Sequence, residues 1–183
     1  MKKHIYLAGS LFSEAEVSQR LKEGKIIKET FGDKYTLYNP IEAPCNDKEA
    51  NLPSCIDIFT ADTEEVLNSD IIIADLANQD PGVMMELGIA WGLDYAAQIL
   101  ETMGMSEGQK EFLNHCGIKR KDVQAVLSDI RLSTAHLYKG EHIPYGYNQF
   151  VVGGIIEMDG KIHKSFDALI KENAHLSTGV PLE

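Results

Sequence analysis

The composition is that of an ordinary globular protein with an acidic charge balance. The chain has 183 residues, 44% hydrophobic and 25% charged, and its 17 basic and 28 acidic side chains give a formal net charge of -11. This length suits one domain whose core needs no disulfides. The negative charge argues against a broad basic face for polynucleotides or anionic membranes, although a small nucleoside held by hydrogen bonds is compatible with it.

The number of cysteines indicates a reducing compartment, and the hydropathy predicts neither a signal peptide nor a membrane span. Cys45, Cys55 and Cys116 have no metal-ligand spacing, and their odd number does not suit a disulfide framework. The apolar part of the N-terminus is short and is interrupted by Gly9 and Ser10, so it predicts a strand and not a signal peptide. No apolar run approaches the length of a membrane span. We expect a cytoplasmic protein with no metal site and no membrane contact.

The chain opens with a strand and an amphipathic helix. His4 to Ala8 predicts the strand, Gly9-Ser10 the turn at its carboxyl end, and Ser13 or Ser18 the cap of a helix that runs toward Thr30. The turn matches neither GxGxxG nor a P-loop, so it predicts no dinucleotide or triphosphate site.

A second strand is predicted over Tyr35 to Tyr38. The polar segment from Asn39 to Asn51 is a loop long enough to lie over a pocket. A helix follows from about Ser54 to Asn68, and its spacing puts Asp62 beside the apolar stripe. A boundary residue or a functional carboxylate would both fit Asp62 at this stage.

The central stretch begins with a buried strand and a helix start. The β-branched run Ile71 to Ala74 is typical of a strand covered on both faces. Asp75 to Gln79 is predicted as a polar loop. Asp80 then has the properties of an N-cap, with Pro81 at the first helical position.

The central helix carries one unexpected charge. Val83, Leu87, Ala90 and Trp91 recur at helical spacing, which predicts that this face packs in the core. Glu86 is the only charged residue between Asp80 and Asp94, and a carboxylate among apolar neighbours is costly unless it is paired or used. The nearby positive end of the helix dipole helps to keep it ionised.

The second half of the chain is less regular. Residues 97–120 are helical in tendency but contain three glycines, Val123 to Leu127 predicts a strand, and Arg131 follows it. Arg131 fits a ligand contact or a surface salt bridge equally well. Residues 136–147 are a loop rich in Tyr, His and Gly.

The last elements are a capped apolar segment and a short helix. Asn148 has the position of a helix cap before Phe150. Lys164 to Asn173 predicts an amphipathic helix with its apolar side chains inward, namely Phe166, Leu169 and Ile170. The tail beyond His175 is expected to be loose. The alternation of strands and helices predicts an α/β fold, a flavodoxin-like or Rossmann-like parallel sheet with helices on both faces.

Residues 70–92 resemble a known family. The segment D-P-G-x-x-x-E-L-G-x-A, preceded by S-D-I-I-I-A-D-L, resembles the nucleoside 2-deoxyribosyltransferases. The resemblance implies one domain over residues 1–183, with 97–120 as an insertion and 176–183 as a loose tail. It also implies an enzyme that transfers 2-deoxyribose between nucleobases with retention of configuration and without a cofactor.

The resemblance also implies roles for individual residues. Glu86 would be the nucleophile and Tyr6 the hydroxyl that orients it, unless Tyr6 is only a core aromatic. Asp62, eight residues before Asp70, would handle the nucleobase, while Asp70 anchors its strand. Asp80 would bind the sugar hydroxyls.

Further binding residues would come from two glycines and a neighbouring subunit. The resemblance implies substrate contacts at Gly9 and Gly82, and it implies that Asn148 and Phe150 reach the pocket of another chain. The partners would then be a deoxynucleoside, a free nucleobase and further copies of the chain in a homo-oligomer.

Two alternative functions remain. One is a 2-deoxynucleoside 5'-monophosphate N-glycosidase, which is a hydrolase. Ser10 and Ser13 are candidate hydrogen-bond donors to its 5'-phosphate. We expect no arginine near Gly9 and acidic surroundings, so we favour unphosphorylated nucleosides. The other is a non-catalytic nucleotide-binding module on the same fold.

Overall fold

The structure is a computed structural model. It describes residues 2–47, 52–129 and 147–173 with their side chains, and the backbone of 136–138 and 141–143. Of the sequence predictions, those on Arg131 and on the tail lie outside the described residues. The segment 136–147, predicted as a loop, contains two short strands.

Five parallel strands form the central sheet of this α/β protein. The strands are β1 (Lys3–Ala8), β2 (Tyr35–Tyr38), β3 (Ile71–Asp75), β4 (Asp122–Val126) and β7 (Lys161–His163). They lie in the order β2-β1-β3-β4-β7, the flavodoxin-like arrangement of a doubly wound sheet. A separate antiparallel hairpin consists of β5 (His136–Tyr138) and β6 (Glu141–Ile143).

Six α-helices connect or follow these strands in the described part of the chain. They are α1 (Glu14–Phe31), α2 (Cys55–Asn68), α3 (Pro81–Thr102), α4 (Glu107–His115), α5 (Gln149–Glu157) and α6 (Phe166–Asn173). Three short 3-10 turns cover Gly32–Lys34, Pro40–Glu42 and Pro44–Asn46.

Two apolar layers cover the faces of the sheet, as predicted. Side chains alternate along each strand, so Tyr6 and Ala8 of β1 belong to the layer under α2, α3 and α5. Ile5 and Leu7 belong to the opposite layer, under α1 and α6. The inner strands β1, β3 and β4 are buried on both faces over most of their length, which explains the apolar runs in β1 and β3.

The helix starts follow the sequence signals closely. Ser13 and Ser54 close capping boxes at the starts of α1 and α2, and the Asp80 side chain caps α3 with Pro81 in its first turn. The predicted helix from Lys164 begins at Phe166 instead. Strand β7 was not predicted because three residues with one apolar side chain carry almost no periodic signal.

The prediction for Trp91 was wrong. Val83, Leu87 and Ala90 are buried as expected, but the Trp91 side chain is 39% exposed. It lies beside the buried stripe, stacks on Tyr95 at 5.1 Å between ring centroids, and donates to Glu157 Oε2 at 2.6 Å. An indole at the border between α3 and α5 can bury its face while its N–H finds a polar partner.

The buried stripe of α3 instead includes an acidic residue. Asp94 is 0% exposed, and its Oδ1 accepts from the backbone N–H of Lys121 at 2.8 Å and from Arg120 Nε at 2.9 Å. This carboxylate therefore attaches the start of β4 to α3.

Among the described helices, none is long and apolar enough to cross a membrane.

Candidate active site

Two tyrosine–carboxylate pairs stand side by side at the carboxyl ends of β1 and β2. Tyr6 and Tyr38 are register partners on these adjacent strands. Their rings stack with centroids 5.5 Å apart and an angle of 20° between planes. Each hydroxyl donates to a carboxylate from a helix, Tyr6 to Glu86 of α3 and Tyr38 to Asp62 of α2.

The Glu86 carboxylate has one oxygen held and one without a partner. Tyr6 Oη donates to Oε1 at 2.6 Å. Oε2 is buried and has no hydrogen-bond partner among the described residues. Such an oxygen is costly to keep. This geometry brings Tyr6 and Glu86 together, as predicted.

Ionisation of Glu86 is opposed by its surroundings. Burial raises the pKa of Glu86 to about 7, the negative charges of Asp62 and Asp80 act in the same direction, and only the hydrogen bond from Tyr6 lowers it. The helix dipole was expected to favour the charged form. Glu86 lies in the second turn of α3, where the dipole acts weakly, so burial dominates.

The tyrosine hydroxyls act as hydrogen-bond donors in this site. Burial first, and then the charges of Glu86 and Asp62, raise the pKa of Tyr6 far above its ordinary value. Burial and the charge of Asp62 likewise raise the pKa of Tyr38. Both hydroxyls therefore keep their protons at neutral pH.

Asp62 is also protonated more readily than a free aspartate. Burial raises its pKa, the hydrogen bond from Tyr38 at 2.9 Å lowers it in part, and the charge of Glu65 raises it further. Two half-buried carboxyl groups with raised pKa values in one cleft are typical of a site that exchanges protons.

Asp80 and Gly82 form the rim of the site at the start of α3. Asp80 Oδ1 accepts from the Val83 backbone N–H at 3.0 Å, which confirms its capping role. A Cβ at Gly82 would lie 2.9 Å from the same oxygen. A side chain at position 82 would therefore crowd the cap and the cleft.

An open cleft of about 300 Å³ lies over Glu86 and Asp62. Its walls come from α2 and α3 and are mostly apolar: Cys55, Ile58, Phe59, Asp62, Thr63, Val66, Gly82, Met85, Glu86 and Ile89. None of these residues is a cation. An apolar cleft with a few convergent polar groups is the usual form of a small-molecule site.

The surroundings of Gly9 differ from expectation. A Cβ at this position would collide with the Arg20 guanidinium, so an arginine does lie near Gly9 in the fold. The helix α1 brings it there from eleven residues along the chain. Arg20 is 2% exposed and is paired with Asp75 at 2.7 Å and Glu23 at 3.0 Å, so its charge is already compensated.

Ser10 and Ser13 are engaged in local structure. Ser10 Oγ donates to Glu16 Oε1 at 2.7 Å, and the Ser13 backbone N–H donates to Glu16 Oε2 at 2.7 Å within the capping box of α1. These two serines therefore stabilise the turn after β1.

Asn148 and Phe150 lie at the start of α5, away from the walls of the Glu86 cleft. Asn148 Oδ1 accepts from the Phe150 backbone N–H at 3.0 Å, so the cap is present. The Phe150 side chain is 90% exposed.

Asp70, as predicted, anchors its strand: its Oδ2 accepts from the His4 backbone N–H at 2.8 Å.

Tyr38 and Arg20 were not predicted as residues of the site. Tyr38 ends a predicted strand, and such ends carry ligands in α/β sheets, so that signal was present. Nothing in the sequence indicated Arg20, because an arginine in an amphipathic helix is normally solvated.

In the part of the chain described with side chains, no group of three or more His, Cys, Asp or Glu could hold a metal ion.

Solved structures support the fold. A conserved protein from Enterococcus faecalis V583 is 25% identical with a TM-score of 0.65, over 98% of this chain and 100% of the other. A 2-desoxiribosyltransferase from Leishmania mexicana is 17% identical with a TM-score of 0.55, over 94% and 97% of the two chains. At such identity the second likeness concerns the fold alone.

One curated relative matches in sequence over part of its length. It is an uncharacterized protein of Ureaplasma parvum serovar 3, 38% identical over 92 residues, which are 46% of this chain and 56% of the relative. The match therefore spans little more than half of that relative.

The fold and the site define a doubly wound α/β protein with two carboxyl groups in a cleft beside the ends of β1 and β2. The sequence model of one family, nucleoside 2-deoxyribosyltransferase, matches residues 5–116. This match covers more than half of the chain and includes both tyrosine–carboxylate pairs, so the chain belongs to the nucleoside 2-deoxyribosyltransferase family.

Proposed function

We propose that this protein transfers a 2-deoxyribosyl group from one nucleobase to another through a covalent glycosyl-enzyme on Glu86. The observation that carries the proposal is the Glu86 carboxylate itself. Its Oε1 is held by Tyr6, and its Oε2 is buried with no hydrogen-bond partner among the described residues, beside a cleft shared with Asp62. A nucleophile needs such an oriented and poorly solvated oxygen.

In the first half-reaction Glu86 Oε2 attacks the anomeric carbon of a deoxynucleoside. A carbon–oxygen bond forms, the N-glycosidic bond breaks, and its electron pair passes to the base nitrogen. Asp62 gives its proton to the departing base, which leaves as the neutral nucleobase. The raised pKa of Asp62 favours the protonated form that this step requires.

In the second half-reaction an acceptor base takes the place of the first. Its nitrogen attacks the anomeric carbon, the bond to Glu86 breaks, and the Asp62 carboxylate takes the proton of the incoming base. Two displacements at one carbon retain its configuration, as in retaining glycosidases. The scheme uses only side chains of the chain and the two substrates.

Asp80 is the proposed contact for the sugar hydroxyls. Its Oδ1 is used in the helix cap, so Oδ2 is the oxygen for the sugar. Gly82 leaves the approach to Asp80 open, and Gly9 lies at the end of β1 near the same edge of the sheet.

An uncharged nucleoside fits the electrostatics better than a nucleotide. The cleft contains the acidic side chains of Glu86 and Asp62, and none of its described lining residues is cationic. The negative charge of Asp80 also acts on Glu86. A 5'-phosphate would be repelled here unless it were paired with cations. The Arg20 guanidinium lies beside Gly9, but its charge is already paired with the carboxylates of Glu23 and Asp75.

The test is incubation of the protein with a deoxynucleoside, with and without a second free nucleobase, followed by chromatography. We expect a new nucleoside only when the acceptor base is present. Free base alone would support an N-glycosidase, in which water takes the place of the acceptor. Neither product would support a binding module without catalysis.

Glu86→Gln should abolish turnover. The loss of a covalent nucleophile costs several orders of magnitude, whereas the loss of one peripheral hydrogen bond costs about tenfold. Glu101→Gln, on the same helix but half exposed, is the matched control. A 2-fluoro-substituted deoxynucleoside should leave an adduct on Glu86 that mass spectrometry locates. Near-normal turnover by a folded Glu86→Gln protein would contradict the mechanism.

A further inference from the structure

The second tyrosine of the site, Tyr38, takes no part in the two proposed displacements. Tyr38 is the last residue of β2, and its ring stacks on Tyr6, which lies opposite it in the adjacent strand. Its hydroxyl donates to Asp62 Oδ1 at 2.9 Å. The arrangement repeats the pairing of Tyr6 with Glu86, one strand further toward the edge of the sheet.

We propose that Tyr38 is a positioning residue that holds Asp62 in the orientation needed for proton exchange with the nucleobase. The inference rests on the proposed function, since it assumes that Asp62 serves the base. It adds a residue that acts through Asp62 and not by touching the substrate.

The geometry gives the hydrogen bond a specific consequence. A tyrosine that keeps its proton can only donate to a carboxylate, so Asp62 Oδ1 is occupied as an acceptor. The proton of Asp62 is then confined to Oδ2, the oxygen left for the base. Without Tyr38 the carboxyl group could rotate and place its proton on either oxygen.

The stacked rings make this orientation rigid. Tyr6 is 0% exposed, and both strands are fixed in the parallel sheet. The two hydroxyls therefore set the Glu86 and Asp62 carboxyl groups at a fixed spacing, although the carboxyl groups come from two different helices. Reactions that depend on two groups at once are sensitive to displacements of about 1 Å.

The same hydrogen bond lowers the pKa of Asp62, against the larger effect of burial, which raises it. A donor to the carboxylate stabilises the charged form that remains after the proton has passed to the base. Other titratable groups of the described residues also act on this pair: Glu65 on α2, Glu86 on α3, Tyr6 on β1 and Cys45, whose Sγ is 3.7 Å from Tyr38 Oη. Removal of the Tyr38 hydroxyl alone should therefore raise the pKa of Asp62.

The first experiment compares Tyr38→Phe with Tyr35→Phe. Both variants keep a ring on β2, but Tyr35 packs against Phe31 on the opposite face of the sheet. For Tyr38→Phe we expect kcat/KM to fall about tenfold with nucleosides whose bases need a proton to leave. With an activated base that leaves unprotonated, the loss should be much smaller. Tyr35→Phe should behave as the unchanged protein with both.

The second experiment does not depend on turnover. The Asp62 side-chain carboxyl is titrated by carbon-13 NMR in the unchanged protein, in Tyr38→Phe and in Tyr35→Phe. An upward shift of the Asp62 titration in Tyr38→Phe only would support the inference. In a double-mutant cycle, Tyr38→Phe should cost little in a protein that already carries Asp62→Asn.

The outcomes separate this inference from the proposed function. If the unchanged protein acts on no nucleoside but the Asp62 titration moves, the hydrogen bond is real and the function is wrong. If turnover depends on Glu86 but Tyr38→Phe loses equally on all leaving groups with an unmoved Asp62 titration, Tyr38 is only a core aromatic. That result would overturn the inference and leave the proposed function intact.

Discussion

The carboxyl group of Glu86 loses its proton at higher pH than a solvent-exposed glutamate does. Burial raises its pKa to about 7, and the negative charges of Asp62 and Asp80 contribute in the same direction. Because the proposed nucleophile is the carboxylate, kcat/KM should decrease as pH falls below about 7. A pH profile of kcat/KM checks this expectation.

Replacement of Asp80 by an uncharged residue should move the acidic limb of this pH profile. Asp80→Asn retains a side chain that caps helices well. It also removes a negative charge that raises the pKa of Glu86, so the acidic limb should shift to lower pH. Asp33→Asn, an exposed position outside the site, serves as the control. An unmoved limb in a folded Asp80→Asn protein would mean that Glu86 does not control it.

The proposed proton transfer from Asp62 can be tested with nucleosides whose bases differ as leaving groups. If Asp62 protonates the base, Asp62→Asn should lose most activity with bases that leave poorly and should recover with an activated base. Initial rates on a series of nucleosides with different leaving groups measure this. Glu64→Gln, an exposed position on the same helix, is the control. Equal losses across the series would assign Asp62 an orienting or structural role.

At the scale of elements, the end of α2 depends on a buried lysine. Lys121 is 2% exposed, and its Nζ donates to the carbonyls of Val66, Leu67 and Ser69 at 3.1, 2.8 and 2.7 Å. Carbonyls in the last turn of a helix have no donor within the helix, and the Lys121 amine supplies one here. Burial lowers the pKa of Lys121 to about 7. The Val66 carbonyl also accepts from Ser69 Oγ at 2.8 Å. The lysine thus connects the start of β4 to the helix that carries Asp62.

Removal of this cap should destabilise the fold. Lys121→Met keeps the length of the side chain but removes the donor of the Leu67 and Ser69 carbonyls, while the Val66 carbonyl keeps its bond from Ser69 Oγ. We expect the free energy of unfolding to fall by about 2 kcal/mol. Urea denaturation measures it. Lys110→Met, at an ion pair within α4, should change little because that pair is solvated. A Lys121→Met protein as stable as the unchanged one would show that water replaces the lysine at no cost.

For the molecule as a whole, we propose a homo-oligomer with shared active sites. The exposed Phe150 lines a second, apolar cleft of about 490 Å³ between α3 and α5, together with Trp91 and Met84. Exposed aromatic side chains around an apolar cleft are typical of interfaces between proteins. Asn148, at the start of the same helix, is the residue expected to reach the neighbouring cleft.

A mixing experiment tests the shared site. Glu86→Ala and Asn148→Ala proteins should each be nearly inactive, and after subunit exchange their hybrids should regain activity. Each hybrid pairs an intact Glu86 from one chain with an intact Asn148 from the other, which a closed assembly permits. Hybrids that stay inactive despite proven exchange, or a fully active monomer, would leave Asn148 as the cap of its own helix.

Much of this protein follows from local patterns in its sequence. The β-branched run after Asp70 determines a strand buried on both faces, and Asp80-Pro81 determines where α3 begins, because caps and proline act through neighbouring backbone groups. The isolated charge of Glu86 on an apolar helix identified the candidate site without any structure. These signals depend only on residues close together in the chain.

Only the tertiary structure decided how the site is completed. The partners of Glu86 and Asp62 are 80 and 24 residues away, on two strands whose registration no local pattern specifies. The exposure of Trp91 and the position of Arg20 against Gly9 likewise depend on how helices pack on the sheet. Burial also decided the ionisation of Glu86, because desolvation arises from the whole set of surrounding atoms and not from neighbours along the chain.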